Sequence, residues 1–113
     1  MDKIGEFRAF RSKMNEKLIS ADDKVIKRIF SLDSMAFKEN RLDVRTKELI
    51  GLTCSLVLRC EDCVKYHLEK CVEVGLNKEE ILEGLSLSTL VGGTIVIPHL
   101  RRAYDYLEEL LEG

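Results

Sequence analysis

The chain has a single proline and no Asn-Gly or Asp-Gly step between alternating segments, so tight hairpins have nothing to turn on and a strand-rich fold is excluded. It has no excess of basic residues. Eighteen Lys and Arg stand against 20 Asp and Glu, for a formal net charge of −2 with both signs scattered. That leaves no footprint for nucleic acid and no polybasic membrane patch. A long apolar run is also missing. The longest charge-free stretch, Gly84 to Leu100, is at the lower limit of a bilayer span and is interrupted by Ser86, Ser88, Thr89, Gly92, Gly93 and Thr94, so it reads as a buried helix. The opening Met1-Asp2-Lys3-Ile4-Gly5 lacks the apolar core of a secretory signal, and with no export signal the cytoplasm is the expected compartment. There a CxxC is more often catalytic than structural. With no linker, repeat or low-complexity segment, the 113 residues read as one domain, 1–113.

What is present is helical periodicity, and the expected fold class is all-α. Phe7, Phe10, Met14 and Leu18 recur at three- and four-residue steps and predict a helix over Phe7 to Ser20. Val25, Ile26, Ile29, Phe30 and Leu32 give a broad apolar face to a second, from about Asp22 to Lys38. Asp43 is the expected N-cap of a third, which holds Glu48 and the uncharged run Leu49 to Leu58. A fourth begins near Cys60 and ends before Gly75, a C′ glycine. Asn77-Lys78-Glu79-Glu80 reads as a capping-box start for a fifth, running towards Pro98, and the last covers Pro98 to about Leu111.

The chemically specific segment is Cys60-Glu61-Asp62-Cys63-Val64-Lys65-Tyr66-His67. On a helix, residues three and four apart share a face, so Cys60 lies beside Cys63 and Cys63 beside His67. Two thiols at this spacing can close a small disulfide ring, and an imidazole beside a thiol can take its proton. A helix N-terminus or a nearby base lowers a thiol pKa from about 8.5. Glu61 and Asp62 suit a first turn but, as negative charges, oppose a thiolate. Two other readings stand beside this one. Both cysteines can be small buried residues with His67 a satisfied core histidine. Zinc finds the right donor types in Cys60, Cys63, His67 and Cys71, but on a continuous helix the outer two are roughly 16 Å apart along the axis, too far for bonds of about 2.3 Å.

Glu48 borders the ten uncharged residues Leu49 to Leu58, in a helix expected to be largely buried. Burial there tends to raise a carboxylate towards the range of a general base. If the third and fourth helices form an antiparallel hairpin turning at Arg59 and Cys60, Glu48 is level with Cys71, Leu52 with His67 and Leu56 with Cys63. Glu48 is then about one 5.4 Å turn from His67, and His67 one turn from Cys63. The expected relay is Glu48 to His67 to Cys63, with water completing any gap.

Glu48, Cys60, Cys63 and His67 at these spacings resemble the ExnCxxCxxxH signature of the alkylhydroperoxidase AhpD-like branch of the carboxymuconolactone decarboxylase superfamily. The flanks are similar too, in Arg45-Thr46-Lys47-Glu48-Leu49-Ile50, in Gly75-Leu76-Asn77-Lys78-Glu79-Glu80-Ile81, and in Gly92-Gly93. The resemblance covers roughly residues 30 to 110. It implies an all-helical, AhpD-like fold of about six helices that assembles as a homo-oligomer, a trimer or a hexamer, with the site near a subunit contact. It also implies a thiol-dependent peroxidase that reduces a peroxide substrate and is recycled by a dithiol reductant or redox partner; no cofactor or metal is expected at the site. Cys63 would attack the peroxide and become a sulfenic acid, Cys60 would donate the proton and then resolve the sulfenate as an intramolecular disulfide, and Glu48 and His67 would activate the thiols. Where well-studied members often have a histidine before the second cysteine, this chain has Asp62.

Two rival functions are a lactone decarboxylase-like proton-transfer enzyme using Glu48 and His67, and a non-enzymatic oligomeric redox sensor. Cys54 and Cys71 read as core residues and Tyr66 as packing or a subunit contact. His99 receives no role.

Overall fold

The computed structural model describes residues 2–113, and these form six α-helices with no strand. Their contacts divide the chain into two compact units, one ending at Lys38 and the other running from Glu39 to Gly113.

The first unit is a pair of helices, α1 (Lys3–Ser20) and α2 (Lys24–Ala36). Asp2 caps α1 by accepting from the Gly5 N–H, which starts the helix one turn earlier than the apolar spacing from Phe7 indicates. Asp22 turns the chain in the left-handed region at φ 61°, and Asp23 caps α2 through the N–H groups of Val25 and Ile26. α2 has the apolar face expected of it, yet buries no residue in the single chain. Val25, Ile29, Leu32 and Met35 are all more than half exposed.

The second unit contains α3 (Val44–Val57), α4 (Glu61–Glu73), α5 (Lys78–Gly92), a short 3₁₀ turn (Thr94–Val96) and α6 (Ile97–Glu112). α3 packs on α4 and on α5, and α4 also packs on α6. The shared core is Leu52 and Leu56 from α3, Leu68 from α4, Ile81 and Leu85 from α5, Val96, and Tyr106 and Leu107 from α6, all almost fully buried. Each such aliphatic side chain stabilises the fold by about 1.5–3 kcal/mol relative to exposure. Caps are where the sequence places them: Asp43 accepts from Thr46 N–H, and Asn77 and Glu80 form the reciprocal capping box.

Two expectations are corrected. Gly84 to Leu100 is not one buried helix: α5 stops at Gly92, Gly93 takes φ 85°, and the 3₁₀ turn re-aims the chain into α6. Leu87, Leu90, Val91 and Ile95 on this stretch are exposed in the single chain. Nor is the run Leu49 to Leu58 buried throughout, since Ile50, Cys54 and Leu58 face outward.

Candidate functional site

The site is built at the turn between α3 and α4. Leu58 closes α3 and Arg59 follows in the left-handed region at φ 59°. The Cys60 N–H donates to Ser55 O and the Arg59 N–H to Leu56 O, the paired bonds of a Schellman motif. The same two bonds recur at the end of α4, where Gly75 takes φ 89° and Leu76 N–H reaches Cys71 O. Arginine thus stands where glycine is usual. The motif delivers Cys60 to the N-cap of α4, with the Cys63 N–H 3.3 Å from its Sγ.

Cys60 and Cys63 are joined as a disulfide, their Cα atoms 5.2 Å apart. Cys63 is exposed and Cys60 half-buried. A thiolate on either would sit in the first turn of α4, where the helix dipole stabilises negative charge.

One face further into the hairpin, Glu48 and His67 are in direct contact. His67 Nδ1 lies 2.8 Å from Glu48 Oε1, and the two side chains are only 12% and 7% exposed. No bridging water is required between them, because the glutamate stem spans the single turn of α3 that separates Glu48 from the level of the imidazole. With Glu48 ionised, Nδ1 carries the proton and Nε2 is left as an acceptor. The ring fits there because residue 51 is glycine. A Cβ at Gly51 would stand 2.8 Å from His67 Cε1, 3.0 Å from Nδ1 and 3.1 Å from Nε2, so the imidazole lies against bare α3 backbone. Gly51 carries only a faint signal of this in the sequence: an isolated glycine inside a helix costs about 1 kcal/mol against alanine and marks a place where something approaches closely. On the opposite face of α3, Gly84 does the same for α5: a Cβ there would meet Leu49 and Thr53. Ser88 Oγ donates to Thr53 O across that contact.

The remaining cysteines separate. Cys71 is fully buried, and burial, reinforced by the Glu48 charge, pushes its thiol up to about 12, so it stays protonated at neutral pH. Cys54 is exposed rather than a core residue. It lies in an open apolar groove of about 470 Å³ between α3 and α5, lined also by Val57, Leu58, Leu87 and Val91.

Glu61, the residue after Cys60, is engaged by α6. Its carboxylate accepts from Arg102 Nε at 2.8 and 2.6 Å and lies 2.7 Å from His99 Nδ1. Partial burial pushes its pKa up, but the Arg102 and His99 hydrogen bonds and charges outweigh it and hold the group below the usual glutamate range. His99, left without a role by the sequence, therefore has a definite partner next to the cysteine pair. No three metal-ligating side chains come together among the described residues.

The matching family model, Carboxymuconolactone decarboxylase family, spans residues 23–106. The chain belongs to the carboxymuconolactone decarboxylase family. Within it, a Thermotoga maritima protein of known crystal structure is 52% identical, with a TM-score of 0.92 over 95% of this chain and 94% of that one. The same Thermotoga maritima protein in a second crystal structure, at 52% identity and TM-score 0.91 over 95% and 91% of the two chains, is a family protein for which a part in antioxidative response has been suggested. The apo form of a Legionella pneumophila family protein is 28% identical, with a TM-score of 0.82 over 99% of this chain and 97% of that one. A curated relative, protein 4 of the cox locus of Paracoccus denitrificans, is 26% identical over 71% of this chain and 72% of its own length. No helix of this family member, among the described residues, is long and apolar enough to cross a membrane.

Proposed function

We propose that the chain is a thiol-dependent peroxidase, or a closely related disulfide oxidoreductase, of the AhpD-like type. The observation that carries the reading is the Cys60–Cys63 ring at the head of α4, one hairpin face away from the bonded Glu48 and His67. Cys63, the more exposed of the two, is the nucleophile. His67 Nε2 takes its proton, with Glu48 holding the ring and stabilising the imidazolium, as an acidic partner does in other His-based relays. The Cys63 thiolate attacks the terminal oxygen of a hydroperoxide; an S–O bond forms, the O–O bond breaks, and the leaving alkoxide takes the proton from His67. Sulfur is oxidised by two electrons to a sulfenic acid. The Cys60 thiol then attacks Cys63 sulfur, the S–S bond forms, and water leaves with the Cys60 proton. A dithiol donor reopens the ring and is itself oxidised to a disulfide. This cycle suits a reducing compartment such as the cytoplasm, and a suggested antioxidative role for a 52% identical relative supports it.

The same reading includes a homo-oligomer, trimeric or hexameric; the large apolar side chains that the single chain exposes, Phe10, Val25, Ile29, Met35, Leu58, Leu90 and Val91, support it as surface that association would cover.

The test is peroxide turnover with a dithiol present, combined with trapping in the Cys60→Ser protein. Catalytic consumption is expected, and a sulfenic-acid probe should label Cys63 in that variant, read by peptide mass spectrometry. Label on Cys60 in Cys63→Ser, with none on Cys63 in Cys60→Ser, reverses the two roles. A single stoichiometric oxidation without turnover makes the pair a sensor.

A further inference from the structure

The cysteine pair carries an acidic residue inside its own ring, and the structure shows what becomes of that charge. Glu61 is the first residue of α4, next to Cys60 in the chain. An ionised carboxylate so near opposes thiolate formation, and without compensation it would work against the helix dipole that favours it. Instead the carboxylate takes both its oxygens to the Arg102 Nε, while His99 Nδ1 meets Oε2. His99 and Arg102 stand three residues apart on one face of α6, started by Pro98 in its first turn. α6 comes close enough because Val64 and Ala103 are small and buried between the helices. Arg59 and Lys65 border the same small cleft, about 20 Å³, room for one water. Exposed Asp62 is the other charge inside the ring.

The geometry points to His99 and Arg102 as positioning residues for the cysteine pair, which hold the Glu61 carboxylate on α6 and offset its charge so that the thiolate forms readily. The inference rests on the thiol-redox reading of Cys60 and Cys63, but not on peroxide being the substrate. As a plain surface ion pair the cluster would contribute little to stability and leave the thiols untouched. As a positioning device it governs their reactivity.

The experiment is a double-mutant cycle on the reduced full-length chain, with Arg102→Gln, Glu61→Gln and the two combined. Each is assayed for the rate of Cys63 carboxamidomethylation by iodoacetamide from pH 5 to 9, resolved by peptide mass spectrometry. Arg102→Gln should slow the reaction at neutral pH by about three- to tenfold, through a smaller thiolate fraction. Its disulfide should also become harder to reduce in a glutathione buffer, since the reduced form loses stabilisation. In the Glu61→Gln background the Arg102→Gln effect should largely vanish, because no carboxylate remains to be held. His99→Gln should act in the same direction as Arg102→Gln, and Arg102→Lys, which keeps the charge without the planar fork, should recover part of the rate. Equal rates for Arg102→Gln and the parent at every pH, with circular dichroism unchanged, overturn the proposal. So does an Arg102→Gln effect of the same size in both backgrounds, which would make Arg102 a bare charge acting on the thiol without Glu61. Peroxide turnover is recorded in parallel: its absence in the parent removes the peroxidase reading alone, while the alkylation cycle still decides the role of α6.

Discussion

Gly51 has no room for a side chain while the His67 ring stays in place. Alanine there favours the helix by about 1 kcal/mol, yet its methyl would occupy the place of the His67 ring. The ring is tied through Nδ1 to the Glu48 carboxylate, so stepping aside would break that contact. Gly51→Ala is therefore expected to keep or slightly raise the melting temperature while slowing thiol oxidation by peroxide about 10²-fold. Glu48→Gln, which keeps the shape and removes the base, should lose about 10²- to 10⁴-fold, and combining it with His67→Asn should cost little more than either alone. Stopped-flow oxidation rates and thermal melts on the same samples check both. Parental rates in Gly51→Ala and Glu48→Gln at every pH would mean that the imidazole is a structural residue. Glu48 and His67 were legible in the sequence because one borders ten uncharged residues and the other follows Cys63 by four on the same helical stripe. Gly51 was not, since its meaning lies in a neighbour on another helix. Glu61 was legible only as a first-turn acid; His99 and Arg102 are some forty residues further along, and nothing local announces the contact.

At the scale of the element, the α3 to α4 turn and the end of α4 make a natural comparison. Both use the same pair of bonds and both need a left-handed residue, but one has Arg59 and the other Gly75. A non-glycine residue held there costs about 1–2 kcal/mol. Arg59→Gly should accordingly raise the unfolding free energy of the reduced protein by up to about 1 kcal/mol, and Gly75→Ala should lower it by about the same, both read from urea titrations at constant slope. A destabilised Arg59→Gly would show that the arginine side chain contributes more in the cleft beside Glu61 than its backbone costs. Helix starts were easy to read, because Asp43 and Asn77 announce themselves chemically. The stop at Arg59 follows from the cysteine motif beside it, whereas the stop at Gly92 is hidden in sequence: a glycine pair in an uncharged run looks alike within a helix and at its end, and Gly93 at φ 85° makes it an end.

For the molecule as a whole, the apolar periodicity identified the helices but not their partners. An amphipathic face predicts burial, and on α2 that burial is not found in the single chain. Faces of this kind are covered by association in most homo-oligomers. Light scattering at micromolar concentration should find a closed assembly, reduced and oxidised alike. A monomer throughout would remove the oligomer from the proposal and leave the exposed face of α2 without an explanation in self-association.

The uneven fates of the four cysteines make the native chain its own optical probe. Once the ring between Cys60 and Cys63 is closed and Cys71 is shut in the core, Cys54 is left as the one exposed thiol, at the edge of an apolar groove. A maleimide fluorophore added to oxidised protein would go to that position with no engineered substitution, in a ratio of one per chain where the groove stays open in the assembly and below it where a subunit contact covers Leu58 and Val91. The dye would sense the polarity of the groove through its emission. Chains bearing donor and acceptor dyes, mixed after labelling, would then show energy transfer when subunits exchange, so the thiol outside the redox ring gives a direct view of how the copies meet.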